Sequence, residues 1–485
     1  MSEKDYQNTI NELLETISEL NATIFGLNAT ISGMSVTIFD LTNTVAELKA
    51  QLGMNSTNSS KPPSSDGPKK PPTKSLRKPS GKKPGGQKGH AGSGMKLLHA
   101  PDIQELHAPN DCTLCKNAAT CAAKRVTSER RHVIDIAVKP VITEHTTLSV
   151  LCPQTGKIYK GTFPANVTGT MQYGTELEAL AVSLNTIGAV SISRTHEILS
   201  GVFGVPISTG TIASMVKSAA DAVRPTVNEI KEVIPDEKIA HFDETGTRVN
   251  GKTLWAHTSS TENLTYISVE ESRGKKGMES AGVVQFFKGI GIHDCWAAYF
   301  SYLFVSALCC AHLLRELTGV IDNYGQKWAG DFIELLLGMK NEKERFLEKG
   351  ITLSPQEVWG KYSKSYDEIV NAALKANPLP PPGQDKKPKK CKPRVLAERL
   401  LKRKAEYTKF FTDFTVPFDN NQAERDIRMF KVKQKVSGCF RSKEGADDFA
   451  TIMSFISTAR KRGLSAFVAL RDALLFRPFA VRVTE

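Results

Sequence analysis

The stretch Lys238-Ile-Ala-His-Phe-Asp243 is short, mostly apolar and ends on an acid, and its reading decides the fold. It predicts a buried strand, because the surrounding pattern has period two rather than 3.6. Downstream, Arg248-Val-Asn-Gly-Lys252 carries an Asn-Gly pair, the strongest short-range signal for a hairpin. Thr253 to Thr258 is then the return strand and Leu264 to Val269 a third. Gly289-Ile-Gly-Ile-His-Asp294 is a fourth short apolar strand, again closing on an acid. After it the period lengthens. Helices are expected over Leu308–Thr318, Lys327–Phe346 and Pro355–Ala376. A Pro/Lys-rich break follows from Pro378 to Arg394, then a basic helix to about Phe411. The last helices read as Asn420–Lys435 and Ala446–Arg462, around a turn at Gly438.

Three antiparallel strands, a fourth strand and then helices is the order of an RNase H-like domain. In that order an acid in the first strand lies beside one at the end of the fourth, and a later helix brings a third. Asp243, Asp294 and Glu424 fill those places. Phosphodiester chemistry needs this residue type: hard oxygens hold Mg²⁺, and two ions about 3.5–4 Å apart activate both the entering and the leaving oxygen. Mn²⁺ is the expected substitute. Glu244 and Asp426 compete for the same roles, and among 51 acids spacing alone does not choose. Arg425, Arg428, Lys431, Lys433, Lys435, Arg441 and Lys443 surround the last acid. They are expected to neutralise phosphates beside a cut, a basic face in solvent being the plainer alternative.

Outward toward the N-terminus, residues 166–235 read as helical. Thr175 to Leu184 is one helix, while Ser193–Leu199 and Ser208–Val216 flank a turn at Gly201–Pro206. That pair is a candidate helix-turn-helix, although ordinary helical hairpins outnumber DNA-reading ones. Before it, Cys112-x-x-Cys115 opens a small module with strands over Val133–Ile136 and Val141–Val150. Such a pair is half of a tetrahedral zinc site. The second half reads Cys152-Pro-Gln-Thr-Gly, with Thr155 where a cysteine would complete the pair. Cys121, His132 or His145 is left to supply the fourth ligand. Cys112, Cys115, Cys152 and His145 are the set carried forward, and a metal-free remnant is the alternative.

Residues 61–100 hold ten basic side chains, Lys82, Lys83 and Lys88 among them, against one acid, Asp66. This Pro/Lys/Gly-rich arm cannot build a core and is expected to lie along phosphates. Ahead of it, Ile10, Leu13, Ile17, Leu20, Ile24, Leu27, Ile31, Met34, Ile38, Leu41, Val45, Leu48 and Leu52 alternate steps of three and four. β-branched a positions with Leu at d favour a parallel two-stranded coil, so a homodimer through residues 1–52 is expected.

The whole chain has 485 residues and a formal charge of +13, with 64 Lys and Arg. That balance suits a polyanionic partner. No unbroken apolar run approaches the roughly 20 residues of a spanning helix, so no membrane segment is expected. Nine unevenly placed cysteines fit a reducing cytoplasm rather than a disulfide framework.

Several stretches together carry a resemblance. They are Asn58-Ser-Ser-Lys-Pro-Pro-Ser-Ser-Asp66, Gly85-Gly-Gln-Lys-Gly-His90, His241-Phe-Asp-Glu-Thr245, His293-Asp-Cys-Trp296, Ala311-His-Leu-Leu-Arg315, Asn420-Asn-Gln-Ala-Glu-Arg425 and Ser437-Gly-Cys-Phe-Arg-Ser442. In this order the chain resembles a DDE transposase of the bacterial insertion sequence sixty-six family. The resemblance implies that Asp243, Asp294 and Glu424 are the metal-binding triad, in preference to Glu244 and Asp426. It implies an N-terminal coiled segment, a four-cysteine zinc module from which Thr155 departs, and a role near the site for His312 and Arg315. It also implies cleavage at element ends, then attack by the freed 3′-hydroxyl on target DNA.

The expected protein is α+β and multidomain, an RNase H-like mixed-sheet catalytic domain with a helical insertion. Its parts are a coiled coil (1–52), a basic linker (53–100), a zinc-finger-like module (101–165), a helical DNA-binding segment (166–235), the first part of the core (236–320), the insertion (321–411), and the remaining core with the C-terminal helices (412–485). Expected partners are the element's terminal inverted repeats, target DNA, a second copy and element-encoded accessory proteins, at the bacterial nucleoid. A structure-selective nuclease and a DNA-binding protein with a degenerate catalytic domain are the alternatives.

Overall fold

The computed structural model describes residues 3–55, 57–59, 100–104, 131–134, 139–164, 166–379 and 390–482. At its centre is a five-stranded mixed sheet. Strands β1 (Ser149–Leu151) and β2 (Ile158–Lys160) form a separate antiparallel ribbon. In the main sheet, β3 (Ile239–Val249), β4 (Lys252–Ser260) and β5 (Thr265–Glu270) make an antiparallel meander. On the other side of β3, β6 (Ile290–His293) and β7 (Val305–Leu308) run parallel to it, giving the order β5-β4-β3-β6-β7. This is the order and sense expected of an RNase H-like sheet.

Local chemistry explains the meander. Asn250 and Gly251 take positive φ values of 45° and 76°, the twist that a two-residue hairpin turn requires. The ends of β3 and β4 are therefore in fixed register, Val249 opposite Lys252. Glycine also lets β6 sit under an aromatic lid, since a Cβ on Gly291 would stand 2.4 Å from the Phe304 ring.

The helices cover this sheet in two bodies. One comprises α6 (Cys310–Tyr324), α7 (Lys327–Glu348), α8 (Gln356–Ala376), α9 (Lys392–Lys402) and α10 (Lys404–Thr412), counting α5 (Lys275–Ala281) before them. Their buried Leu314, Phe332, Tyr366 and Phe411 form one apolar cluster with Ile292 and Leu308 of β6 and β7. The expected insertion is thus packed on the end of the sheet. In the other body, α2 (Thr175–Thr186), α3 (Ile192–Gly201) and α4 (Thr209–Val233) share a core with α12 (Lys443–Lys461) and α13 (Ala466–Leu474). Leu199, Ile212 and Val223 meet Phe455, Ile456 and Leu470 there. Segment 166–235 is therefore no separate unit. Helix α11 (Asn421–Ser437) lies across β3 and β4.

Several expectations change. The strand expected over Val141–Val150 is paired only from Ser149, and Val141 and Ile142 are exposed. No strand is present at residues 133 and 134, and residues 135 and 136 lie outside the described residues. Cys112, Cys115, Cys121, Lys82, Lys83 and Lys88 also lie outside them. The second helix of the candidate helix-turn-helix runs on to Val233, through Pro225. Val223, Thr226 and Val227 are buried around that proline, so packing outweighs the lost backbone bond.

Helix α1 spans Glu3–Gly53 as a single rod. Every seam residue from Ile10 to Leu48 is between 48% and 61% exposed, so the rod's own chain does not cover the seam. By length and composition alone α1 is also apolar enough to cross a membrane, which counting unbroken apolar runs missed. The difference arises because Thr, Asn and Ser, rather than charges, separate its apolar residues. Its base is anchored: Asn58 Nδ2 donates to Gly53 O at 3.0 Å and to Asp322 of α6 at 3.4 Å.

Candidate active site

The β3–β6 register sets His241 opposite Ile292. Continued by two residues it places Asp243 opposite Asp294, on strands about 4.8 Å apart. Glu424 comes from the first turn of α11, which crosses above β3. The N-terminal end of a helix carries partial positive charge and suits a carboxylate. Asp294 and Glu424 are 24% and 25% exposed, so solvent ions reach them.

Burial raises the Asp243 carboxyl well above its usual range, helped by repulsion from Glu244, Asp294 and Glu424. Glu424 is likewise raised by burial, with Arg315 opposing and Asp294 adding to the shift. Asp243 thus feels the charge of both Asp294 and Glu424. Glu424 Oε1 is buried and has no hydrogen-bond partner. Asp243 Oδ1 accepts only a bond from the N–H of Glu244, at 3.0 Å, and Asp294 Oδ1 accepts one from Trp296, also at 3.0 Å. Between Asp294 and Trp296, Cys295 takes φ 72°, a left-handed conformation uncommon for a side chain with a Cβ. Three carboxylates with unsatisfied oxygens are a donor set that fits Mg²⁺.

The competing acids are already satisfied. Glu244 accepts from Tyr299 Oη at 2.7 Å and from Arg273 Nε at 2.9 Å. Asp426 accepts from Ser260, Ser457 and Thr265 and pairs with Lys461 at 2.8 Å. Burial pushes Asp426 up, yet Lys461 and these hydroxyls hold it below its usual range.

Four other side chains surround these acids. Arg273 stacks on Trp296 at 4.0 Å and faces Trp255 at 5.3 Å, while lying 3.9 Å from Asp294. Asn420, fully buried, accepts through Oδ1 from His241 Nδ1 at 2.9 Å and donates through Nδ2 to Phe242 O at 2.8 Å. It also leads into α11, so it ties the strand bearing Asp243 to the helix bearing Glu424. His312 Nδ1 and Arg315 lie 3.5 and 3.6 Å from Glu424 Oε1. The Ala311-His-Leu-Leu-Arg315 motif had marked His312 and Arg315 as near the site. Arg273 had no signal of its own; Asn420 opens the Asn420–Arg425 motif, but that motif does not show its partners, which are far along the chain.

The basic residues divide. Arg425, Arg428, Lys435 and Arg441 are exposed around α11. Lys433 is not, which corrects its expected place beside phosphates: its ammonium donates to Asn185 O at 3.0 Å and Val190 O at 3.4 Å. Burial pushes its pKa down to about 8. Lys431 turns inward to Gly246 O and Lys443 pairs with Asp447 at 2.8 Å. In the β1–β2 ribbon Cys152 is a free thiol, lowered by hydrogen bonds from Thr155 and from backbone nearby. Thr155 thus partners Cys152, and His145 is exposed.

A family model described as Transposase IS66 family matches residues 170–448, more than half of the chain. A family of unknown function, DUF6444, matches residues 3–96. The uncharacterized protein y4jO of Sinorhizobium fredii is 29% identical over 147 residues, 27% of this chain. The chain spans 45% of that relative's length.

Proposed function

From the premise that the chain belongs to the IS66 family of transposases, we propose that it cuts DNA at the ends of its element and joins the freed 3′-hydroxyl to target DNA. What supports this reading is the β3–β6 register, which continued by two residues sets Asp243 beside Asp294, together with the repulsion that Asp294 and Glu424 exert on Asp243 and the unpartnered Oε1 of Glu424. These three residues would hold two Mg²⁺ ions, or Mn²⁺ in their place. When bound, such ions activate the attacking oxygen and stabilise the leaving one. The chain's own contribution is positional. Asp243 and Asp294 are set by strand register, and Glu424 by a helix start pinned through Asn420. Arg273 holds Glu244 away from the cleft and keeps a positive charge beside Asp294. Arg425, Arg428, Lys435 and Arg441, with Lys82, Lys83 and Lys88 of the linker, are assigned to DNA phosphates. Water opens the element end, and the 3′-hydroxyl left there then displaces a target phosphodiester in line.

On this reading residues 1–52 pair two copies, and the Cys112, Cys115, Cys152 and His145 set holds zinc, at the nucleoid of a bacterial cytoplasm. The same cleft would serve a structure-selective nuclease. Strand-joined products from a labelled element end, with Mg²⁺ and target DNA, distinguish the two. Asp294→Asn is expected to lower cleavage and joining by about 10²–10³-fold, the several kcal/mol that metal stabilisation supplies. DNA binding should persist. A variant that still joins strands at the wild-type rate sinks the triad.

A further inference from the structure

A second donor set shares one acid with the cleft. Cys309 occupies the N-cap position of α6, and its buried Sγ accepts the Asn420 N–H at 3.2 Å. His312, one turn into the helix, places Nδ1 3.4 Å from that sulfur and 3.5 Å from Glu424 Oε1. All three ligand atoms lie within 4.8 Å of one another, and the Glu424 oxygen is the one left without a hydrogen-bond partner. With Zn–S near 2.3 Å and Zn–N and Zn–O near 2.0–2.1 Å, a tetrahedral ion needs its ligands about 3.6 Å (S···N) and about 3.3 Å (N···O) apart. The S···N and N···O spacings already match to a few tenths of an ångström.

We propose that Cys309, His312 and Glu424 form a binding site for a zinc-class divalent ion, which takes Glu424 out of the catalytic set and switches the cleft off. The site's chemistry separates the two classes of metal. Mg²⁺ demands octahedral oxygen ligands and does not recruit a thiolate or an imidazole, whereas both suit Zn²⁺. Burial pushes the Cys309 thiol up to about 12, with the backbone N–H groups of His312 and Asn420 opposing the shift, so the ion itself must displace the proton, which leaves to solvent as the ion binds. Thiolate and carboxylate together neutralise the ion, so Arg315 beside Glu424 is not repelled. The fourth position is left to water. The switching half of the proposal rests on the catalytic reading of Glu424; the binding half does not.

The test is a Co²⁺ titration of the metal-free full-length chain and of Cys309→Ser and His312→Gln, each checked for wild-type circular dichroism. Cobalt stands in for zinc and reports sulfur ligation by a thiolate-to-metal absorption band. Both variants are expected to lose the same increment of the band, leaving whatever the N-terminal cysteines contribute. Spectra identical to wild type in either folded variant overturn the site. In a second arm, Zn²⁺ is titrated into Mg²⁺-supported cleavage and the activity of each protein is normalised to its own zinc-free value. The half-inhibiting Zn²⁺ concentration should rise by about tenfold or more in Cys309→Ser. If the cobalt increment is present but zinc inhibits both proteins equally, the switch is refuted while the site stands. A Glu424→Gln variant that cleaves normally counts against the catalytic reading alone.

Discussion

At the residue scale, the cleft is costly to keep charged. The Asp243 and Glu424 carboxyls have raised pKa values in the folded chain, first through burial and, for Asp243, through its acidic neighbours. Their stabilising contribution is therefore complete below the ordinary carboxyl range and is lost as pH rises through the raised folded values. Metal-free protein should lose stability from about pH 4 upward, and added Mg²⁺ should restore it. Asp243→Asn removes the penalty. It should stabilise the metal-free protein at neutral pH by roughly 1 kcal/mol, a rise of about 2–4 °C in melting midpoint, and abolish the Mg²⁺ response. Asn420→Ala acts in the opposite direction: the buried Phe242 carbonyl loses its donor, at about 1–3 kcal/mol, measurable by urea denaturation. The acids themselves were legible, because apolar strands ending on Asp243 and Asp294 stand out by pattern. Spacing alone did not separate them from Glu244 and Asp426, because the partners that satisfy those two acids, Arg273, Tyr299, Lys461 and Ser457, lie elsewhere in the chain. Asn420 shows the same difficulty, its bond to His241 joining positions 179 residues apart. The Cys309-x-x-His312 spacing was readable as a metal half-site and passed unnoticed inside an apolar run.

At the scale of elements, period and turn chemistry carried most of the reading. The Asn-Gly hairpin, the strands around it and the long helices lie where alternation and three-four spacing put them. What escaped was short or continuous with a neighbour. Strand β7 has four residues and ends two residues before α6, so Val305–Ala307 showed no pattern of their own and Leu308 read as the start of that helix. Helices α5 and α13, of seven and nine residues, offer too few turns for a period to show. In the β1–β2 region the reverse occurred: β-branched residues suggested strands, but Val141 and Ile142 have no pairing partner. Helix α1 supports a prediction of its own. Ile24 sits mid-seam and is 54% exposed, and a charge there would be buried by any coiled partner. Ile24→Asp should lower the molar mass measured by light scattering to that of a single chain. An unchanged mass would show that the seam does not pair copies.

At the scale of the whole molecule, the two helical bodies divide the work. One packs at the β6–β7 end and supplies His312 and Arg315; the other is completed by both ends of the domain. Leu199, Ile212 and Val223 share one apolar cluster with Phe455, Ile456 and Leu470. Ending the chain at Arg441 should therefore strip α2–α4 of their core and make them sensitive to limited proteolysis, while the intact chain resists at the same sites. A chain emerging from the ribosome meets the same constraint. Its early helices must wait, uncovered, until α12 and α13 have been synthesised. A message broken short, or a reading frame lost near its end, then yields a polypeptide with no finished blade. On the proposed cut-and-join activity, an aborted copy of the gene is then harmless to the DNA that carries it.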